Sequence, residues 1–355
     1  MKKGLVAIFV AVLAAFIGQR FLKLREITLS SREVPLKHLK CHHVKNIEYG
    51  SEDITILRDG LAFISTGLKY PGMPSFSDDP GKIYMLDLLD PNPKPTAVEL
   101  QIKGQLDLNS FNPHGISVYT DDADSSIYLF VVNHPHHGSQ VEIFQFVEEN
   151  TLLHLKTISH PLLHSVNDIV AVGVESFYAT NDHSFPNDVL HTLTILLGVP
   201  WCTVVYYSPE EVRVAANGFS SANGINISPD ERYIYVSDII DHEIDVLERQ
   251  EGERLVHVKS VGVGSLCDNI EVDHETGDVW LGCHPNGVKL MTNDPADPPG
   301  SEVIKIHNIH SEKPVVTQEY ADNGSVIMGS SVAAPYERKL LIGTVYQKAL
   351  CCDLK

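Results

Sequence analysis

A two-strand unit recurs along the chain, and it restricts the fold more than any other feature. In its clearest copy an acid and an amide, Asp268-Asn269, lead into an alternating strand, a polar turn and a second strand. Aligned at intervals of about 45 to 62 residues, six copies centre on Leu61, Ile116, Ile169, Ile225, Ile270 and Val332. Six such units predict an all-β fold, a six-bladed β-propeller. Because the repeat is loose, an irregular pair of β-sandwiches stays open as the alternative.

The composition agrees with one folded domain. The repeats run from about Leu61 to the C-terminus without a linker-like break, so residues 26–355 are interpreted as a single propeller. Hydrophobic residues make up 43% of the 355, which is enough for a packed core. The net charge of −19 argues against a nucleic-acid partner, which would need clustered Lys and Arg. It suits a chain that binds cations, and it also favours solubility.

The N-terminus has the shape of a secretory signal. Two lysines precede an apolar run over residues 5–18, and Gln19-Arg20 follow. No clean cleavage site closes the run, so we expect residues 1–25 to be retained as a hydrophobic anchor helix. The run is shorter than the roughly 20 residues that cross a bilayer. A protein that is extracellular or membrane-associated is therefore predicted, and an ordinary buried helix is the alternative.

The cysteines show no CxxC zinc motif. Their positions are Cys41, Cys202, Cys267, Cys283, Cys351 and Cys352. In an oxidising compartment Cys41 and one cysteine of the terminal pair would join the two ends of a ring. Scattered buried thiols are the alternative. Of two glycosylation sequons, Asn323 lies in a turn-like stretch and is predicted to carry a glycan, whereas Asn226 lies inside a predicted strand.

Oxygen-bearing side chains stand before the first strands of several units. In a propeller these strands line the central channel, so their equivalent ends converge on the axis. The converging side chains are Asn167, Asp168, Asn223, Asp268 and Asn269. An all-oxygen set suits a hard cation, with calcium favoured over magnesium. The alternative is that Asn and Asp form turns at these places.

A second acidic pair, Glu52-Asp53, lies upstream of the first unit, and the repeat alignment does not fix its place. Glu52 with Asp268 would neutralise one divalent ion, and Asp53 with Asp168 a second. Two ions are therefore chemically reasonable, one open to substrate and one deep in the tunnel.

Two histidines occupy related places in the second unit. His114 precedes its first strand and His134 follows its second strand, so both can reach the same tunnel mouth. A histidine pair can deprotonate water, although with 18 histidines in the chain a lone one carries little weight. The chain has no GxSxG, P-loop, GxGxxG or HExxH motif, so metal-polarised hydrolysis is the leading enzymatic interpretation.

One apolar, helix-compatible stretch lies outside the repeats, at residues 188–201. We predict a helical lid over an apolar pocket at the tunnel mouth, or a surface that contacts lipid. A helix packed onto the ring is the equally weighted alternative.

Over essentially its full length the chain resembles the serum paraoxonase/arylesterase family. The stretches that carry the resemblance include Gly50-Ser51-Glu52-Asp53-Ile54, Asn112-Pro113-His114-Gly115-Ile116, Val132-Asn133-His134-Pro135, Val166-Asn167-Asp168-Ile169, Ala222-Asn223-Gly224-Ile225 and Cys283-His284-Pro285-Asn286-Gly287. The resemblance implies a six-bladed propeller with two calcium ions (Ca²⁺) and with lactonase and arylesterase activity. It also implies that the N-terminal segment anchors the protein to a membrane or lipoprotein surface.

The resemblance further implies roles for individual residues. The catalytic calcium would be held by Glu52, Asn167, Asn223, Asp268 and Asn269. The structural calcium would be held by Asp53, Asp168 and the backbone carbonyl of Ile116. His114 and His134 match the water-activating dyad, Cys41 and Cys352 the ring-closing disulfide, and Cys283 the unpaired cysteine of the family.

Three features depart from the family. Cys267 stands directly before Asp268, where an aliphatic residue is usual, and suggests a site sensitive to oxidation. Cys351 adjoins Cys352 and makes the bridge partner ambiguous. Residues 135–140 and 183–200 match weakly, which leaves the substrate preference open.

The sequence thus predicts a calcium-dependent hydrolase of lactones and aryl esters, with organophosphate hydrolysis at most a side activity. One rival is a non-catalytic, calcium-stabilised propeller that associates with lipid. The other is a gluconolactonase-like propeller, which would lack the N-terminal anchor.

Overall fold

Six β-sheets form most of the part of the molecule that the structure describes, and their strands pair antiparallel except for one parallel pair in the second sheet. The computed structural model describes residues 2–70, 77–92, 95–147, 150–185, 187–294 and 296–354. Strand β1 (Lys40–His43) comes from the N-terminal segment and forms the outer edge of the sixth sheet. The first sheet contains, from the axis outward, β2 (Ile54–Ile56), β3 (Leu61–Thr66), β4 (Lys82–Asp87) and β5 (Val98–Glu99).

The second to fourth sheets follow in chain order. The second sheet contains, from the axis outward, β7 (Pro113–Thr120), β8 (Ile127–Asn133), β9 (Gln140–Val147) and β10 (Thr151–Ile158), and β6 (Gln101–Lys103), which is parallel to β10, forms its outer edge. The third contains β11 (Val166–Gly173), β12 (Ser176–Asn181), β13 (Cys202–Tyr207) and β14 (Val212–Phe219). The fourth contains β15 (Ala222–Ile227), β16 (Tyr233–Asp238), β17 (Glu243–Arg249) and β18 (Leu255–Gly262).

The last two sheets complete the ring. The fifth contains β19 (Leu266–Val272), β20 (Val279–His284), β21 (Ser301–His307) and β22 (Val315–Asp322). The sixth contains β23 (Ser330–Tyr336), β24 (Lys339–Thr344) and β25 (Leu350–Asp353), and then β1. The innermost strands contact one another in a closed circle, β2, β7, β11, β15, β19, β23 and back to β2. The six-bladed propeller is confirmed, and the alternative of two sandwiches is excluded.

The repeat alignment was wrong for the first blade. Leu61, which was aligned with Ile116 and Ile169, begins β3, the second strand of its blade. The true inner strand is β2, which has three residues, all of them buried. So short a strand shows no alternation in the sequence, and this hid it. As a result Glu52-Asp53 stands directly before Ile54, the first residue of β2, and corresponds to Asn167-Asp168, which stands directly before Ile169 within β11.

Apolar side chains fill the space between the blades. Six separate clusters of buried residues lie one between each pair of neighbouring blades. Between blades 4 and 5, for example, Tyr235 and Val246 pack against Ile270 and Leu281. Alternate residues of each strand point to opposite faces, so each blade contributes to two clusters. The hydrophobic core is therefore a ring around the axis, and the axis itself is left to polar side chains.

A strand and a disulfide bond join the two ends of the chain. β1 pairs with β25 so that Cys41 lies opposite Cys352, and the two sulfurs are bonded. A second disulfide joins Cys267 on β19 to Cys283 on β20. The expectation of an unpaired Cys283 is therefore wrong, as is that of a reactive Cys267 thiol. Across these two strands the register brings the two cysteines into direct opposition.

Among the described residues, three α-helices lie outside the blades. They are α1 (Lys2–Ile27), α2 (Asp188–Leu197) and α3 (Gly287–Thr292). Much of α1 is apolar and exposed, Val6, Phe9 and Phe21 among its residues. Over the described part of the chain, no helix combines the length and apolar character that a bilayer crossing requires. Met1, the first residue of the predicted anchor, lies outside the described residues.

The ring-closing disulfide should contribute more to the free energy of unfolding than the Cys267–Cys283 disulfide or either free cysteine. It closes a loop with a sequence separation of 311 residues, and Cys352→Ser should lower the free energy of unfolding by about 2–5 kcal/mol. The matched control is Cys351→Ser, because Cys351 is a free cysteine beside the bridge. Denaturant unfolding of both variants measures the difference. Equal stability of the two variants would show that β1 closes the ring without help from the bond.

Candidate active site and cation site

Irregular pairing shapes five of the six inner strands at one level of the tunnel. The register between the first and second strands shifts between Pro113 and Ile116, and at the corresponding place in blades 3 to 6. A bulge of this kind redirects side chains from the usual alternation. The residues within these irregular segments are His114, Asn167, Asp168, Asn223, Asp268, Asn269 and Ser331. Polar residues that the sequence placed before the strands therefore lie inside them.

Four buried side-chain oxygens at this level have no hydrogen-bond partner among the described residues. They are Oε2 of Glu52 and the Oδ1 atoms of Asn167, Asn223 and Asn269. An unsatisfied buried acceptor costs roughly 1–3 kcal/mol, and such groups are rare in folded proteins. All four belong to residues that the family resemblance assigns to the catalytic calcium. A cation is the partner that would satisfy them together.

The nitrogen ends of two of these amides are occupied by the protein. Asn269 Nδ2 donates to Glu52 Oε1 over 2.8 Å, and Asn167 Nδ2 donates to Asp182 Oδ2 over 3.2 Å. Because these donors are already used, the oxygen is the free end of each amide. Asp268, the remaining predicted ligand, is 3.0 Å from His284 through its Oδ2 atom. The described residues contain no group of three or more His, Cys, Asp or Glu arranged to hold a metal.

Asp53 and Asp168 form a second centre with repeated geometry. Asp53 accepts the backbone N–H of Ile54 (2.9 Å) and, from the next blade, that of Ile116 (2.7 Å). Asp168 likewise accepts the N–H of Ile169 (2.7 Å) and, from the next blade, that of Ile225 (2.8 Å). Each carboxylate thus joins two neighbouring inner strands. The predicted role of the Ile116 carbonyl as a third ligand stays a prediction.

Two glycines allow the inner strands to approach this closely. A Cβ atom on Gly115 would lie 2.3 Å from Asp168 Oδ1, and one on Gly224 would lie 2.4 Å from the Asp268 carbonyl oxygen. Any side chain at either position would therefore displace a predicted ligand.

The crowded carboxylates hold protons more tightly than usual. Burial first, and then the charge of Asp268, raise the pKa of Asp53 to about 7. Burial also raises the pKa of Glu52 well above its usual value, and the nearby Asp268 and Asp53 add to this effect. Burial and then the charge of Asp53 also raise the pKa of Asp168 well above its usual value. Without a cation, these groups resist becoming charged together.

The two predicted dyad histidines are brought together. His114 Nδ1 and His134 Nε2 are 3.0 Å apart, and His134 Nδ1 is 3.1 Å from the carbonyl oxygen of Gly138. His114 Nε2 faces Glu52 Oε1 at 3.6 Å. Burial lowers the pKa of His114 to about 3, and the neighbouring His134 ring is the second cause of this shift. Burial also lowers the pKa of His134. Both rings are therefore neutral at pH 7.

Three further residues at this mouth were missed. Asp182 binds the Tyr70 hydroxyl through Oδ2 and His183 Nδ1 through Oδ1, each over 2.5 Å. Burial alone would raise the pKa of Asp182, but bonds from His183 and Tyr70 hold it at about 2. The Tyr70 ring packs edge-on against His114 and His134. A signal existed, because Asp182-His183 directly follows β12, the second strand of its blade, just as His134 directly follows β8.

Helix α2 packs beside this group. Its His191 ring lies 3.9 Å from that of His183, and His191 and Thr194 are buried. Leu190, Leu193 and Leu197 are exposed. The predicted helix is present, but its action as a lid stays a prediction.

Fold and site together define a six-bladed propeller whose inner strands carry a cluster of buried polar side chains. Residues 33–354 match the family model described as Arylesterase. The chain is 55% identical to serum paraoxonase/arylesterase 2 of Gallus gallus over the whole of both chains. It is 57% identical to the protein of that name from Homo sapiens over 96% of each. Serum paraoxonase/lactonase 3 of Homo sapiens is 50% identical over the whole of both chains.

The chain therefore belongs to the arylesterase family, and the prediction of a carboxylic ester hydrolase is confirmed at this level. More distant solved structures share the fold alone. A PQQ-bound aldose sugar dehydrogenase from Streptomyces coelicolor has a TM-score of 0.54 at 13% identity, over 90% of this chain and 98% of that one. A luciferin-regenerating enzyme has a TM-score of 0.53 at 10% identity, over 89% and 95%.

The raised carboxyl pKa values predict how stability depends on pH when cations are removed. In chelator the folded protein retains protons on groups such as Asp53 that the unfolded chain releases near pH 4. The folded state then binds more protons, so its free energy of unfolding falls as pH rises through about 7. His114 and His134, whose pKa values are lowered, make the free energy of unfolding rise with pH instead. This opposite effect is confined to pH values below the unfolded histidine pKa of about 6.5.

The test is the thermal midpoint in chelator between about pH 6.5 and pH 7.5, a window that spans the Asp53 pKa of about 7 and lies above the histidine range. We expect it to fall with pH in chelator and to lose most of this slope with excess calcium. A midpoint in chelator that is flat or rises over the same window would contradict the account of these carboxylates.

Proposed function

We propose that this protein is a calcium-dependent hydrolase of lactones and aryl esters. The observation that carries the proposal is the set of four unpartnered buried oxygens beside a bonded histidine pair. The names of the relatives, arylesterase, paraoxonase and lactonase, support the substrate classes. Organophosphate hydrolysis is at most a side activity.

The donor chemistry fits calcium at two places. At the catalytic ion the ligands are Glu52, Asn167, Asn223, Asp268 and Asn269. At the structural ion they are Asp53, Asp168 and the Ile116 carbonyl. Each set contains two carboxylates, which match one divalent charge, and each consists of oxygens alone. When bound at the first set, calcium supplies a Lewis acid that polarises the ester carbonyl and stabilises negative charge on its oxygen.

The histidine pair sets where the proton goes. If His134 Nδ1–H donates to the Gly138 carbonyl, the other nitrogen of that ring, Nε2, accepts the Nδ1–H of His114. His114 Nε2 then carries a lone pair and is the atom that takes a proton from water. Glu52, 3.6 Å away, stabilises the resulting imidazolium. The Tyr70 ring packs against both histidine rings, and the hydrogen bond from its hydroxyl to Asp182 fixes its position.

The direct test is hydrolysis of a long-chain aliphatic lactone and of phenyl acetate by the purified protein. Activity should disappear in chelator and return with calcium but not with magnesium, because a site with many protein oxygens favours calcium, whereas magnesium usually keeps several waters. Circular dichroism of each sample confirms that the protein stays folded. A folded, calcium-loaded protein that hydrolyses neither compound would favour the non-catalytic lipid-associated propeller instead.

The role of the dyad is tested by His134→Gln. This variant removes the ring that accepts the proton of His114, and we expect kcat to fall by about 10²- to 10⁴-fold with little change in calcium affinity. His136→Gln is the matched control, since His136 lies exposed in the same loop. Full activity in His134→Gln would mean that water is activated by another group.

Anchoring to lipid is the second part of the proposal. We propose that residues 1–25 are retained and that α1, with exposed Leu193, Leu197 and Trp201 near α2, forms a surface for a membrane or lipoprotein. Arg20 of α1 donates a hydrogen bond to the Leu196 carbonyl, so the two helices are in contact. A secreted or membrane-associated location follows, with a glycan on Asn323, which is exposed in the turn after β22.

Removal of residues 2–25 should abolish binding to phospholipid vesicles and leave hydrolysis of water-soluble esters within about threefold, because the ring and its ligands lie outside this segment. Vesicle flotation measures binding, and phenyl acetate hydrolysis serves as the control. Undiminished binding of the truncated protein would assign the lipid contact to α2.

A further inference from the structure

Blades 2 and 4 carry the same group of three side chains on their outer strands. In each blade a carboxylate on the third strand is bonded to a histidine 12 residues later and to a hydroxyl 15 residues later, both on the fourth strand. The two groups are Glu142, His154 and Thr157 in blade 2, and Asp245, His257 and Ser260 in blade 4. The backbone before the fourth strand also agrees, with φ of 59° at Asn150 and 60° at Glu253. The two blades can therefore be compared residue by residue.

In blade 2 the chain itself covers this group. Strand β6 pairs in parallel with the beginning of β10, and the Gln101 N–H donates to the Asn150 carbonyl over 2.8 Å. The chain then passes over His154, where a Cβ atom on Gly104 would lie 2.9 Å from the Cβ atom of the histidine. The side chain of His154 is accordingly 9% exposed. An extended segment therefore fits on this group of side chains and completes a fifth strand.

In blade 4 the corresponding place is open. Within the described part of the chain no strand pairs with the outer edge of β18, and the side chain of His257 is 54% exposed. A groove of about 550 Å³ borders this histidine, between β14 of blade 3 and the outer strands of blade 4. The Glu253 carbonyl, which corresponds to that of Asn150, accepts the Tyr178 hydroxyl over 3.1 Å and keeps a second lone pair. The edge of β18 thus offers backbone N–H and C=O groups to an incoming strand.

The two ends of the groove differ in charge. Arg254 stands directly before β18 at one end, and Arg213 of β14 contributes a second guanidinium to the wall. These are the only Lys or Arg residues among the described residues that line the groove. The other end is acidic, because Glu243 lies opposite Gly262, the last residue of β18, and Asp241 lies in the turn before Glu243. A basic side chain is the complement of this acidic end.

We propose that the groove between blades 3 and 4 binds an extended, basic segment of a partner protein, which adds to β18 as a parallel fifth strand. The pairing of β6 with β10 supplies the register. The first residue of the segment lies beside Arg254, its fourth residue passes over His257, and a basic side chain reaches Asp241 and Glu243. Because paired strands advance equally, by about 3.3 Å per residue, this side chain follows about five residues after the fourth. The proposal concerns a surface outside the proposed active site and does not depend on ester hydrolysis.

Binding of a synthetic peptide to the full chain tests the proposal. The probe has the sequence of residues 101–106, Gln-Ile-Lys-Gly-Gln-Leu, followed by Thr-Thr-Lys-Lys. The control peptide ends in Thr-Thr-Glu-Glu instead. Calorimetric titration should show one lysine peptide bound per chain, about tenfold more tightly than the glutamate peptide, because two charges at the acidic end change sign.

Variants of the protein test the place of binding. The double variant Asp241→Asn, Glu243→Gln should bind the lysine peptide about three- to tenfold more weakly, since both carboxylates lose their charge. Glu248→Gln is the matched control, because Glu248 is on the same strand as Glu243 but does not line the groove. Thermal midpoints and phenyl acetate hydrolysis, which all these variants should retain, report that the protein is folded.

Modified peptides test the strand pairing itself. Methylation of the backbone nitrogens of the first and third residues removes the donors that face β18, by analogy with the Gln101 N–H, and should abolish binding. Methylation of the second residue, whose N–H points away from β18, should leave binding in place. The proposal would be overturned if the lysine peptide did not bind, if the double variant bound it as the full chain does, or if both methylated peptides bound equally well.

Discussion

The arrangement of the inner strands brings together a set of buried side-chain oxygens for which the described residues provide no hydrogen-bond donor. Six inner strands meet at the axis, and the unpartnered atoms of Glu52, Asn167, Asn223 and Asn269 come from four different blades. Each unsatisfied oxygen disfavours the folded ring by roughly 1–3 kcal/mol. The apolar clusters between the blades and the closure of the chain ends oppose this cost. A cation that binds all four oxygens would remove this cost, and would thereby couple folding to the chemistry of the proposed site.

The same constraint explains why the proposed site lies where it does. Irregular pairing at one level of the inner strands turns paired acid and amide residues towards a common point, and glycines at 115 and 224 let the strands come close enough. The histidine pair stands at that level because β7 and β8 are neighbours in one blade and carry His114 and His134 at adjacent ends. Asp268 and His284 are related in the same way by β19 and β20, which the Cys267–Cys283 bond also holds together.

How far the sequence predicts this structure depends on the range of each interaction. Local patterns were sufficient for blades 2 to 6, since the first two strands of each form a hairpin with a visible alternation, and for the acid and amide pairs on their inner strands. They failed at β2, whose three residues are too few to show a period, and so the alignment left Glu52-Asp53 unplaced. They also missed Tyr70, which reaches Asp182 from a different blade. The pairing of Cys267 with Cys283 depends on a strand register that no spacing fixes.

The measurement that tests the central claim most directly is anomalous X-ray diffraction from a crystal grown with calcium. The account predicts a peak within bonding distance, about 2.3–2.6 Å, of the free oxygens of Glu52, Asn167, Asn223 and Asn269, and a second peak between Asp53 and Asp168. Well-ordered density without anomalous signal at the first position, with these oxygens hydrogen-bonded to water, would contradict it.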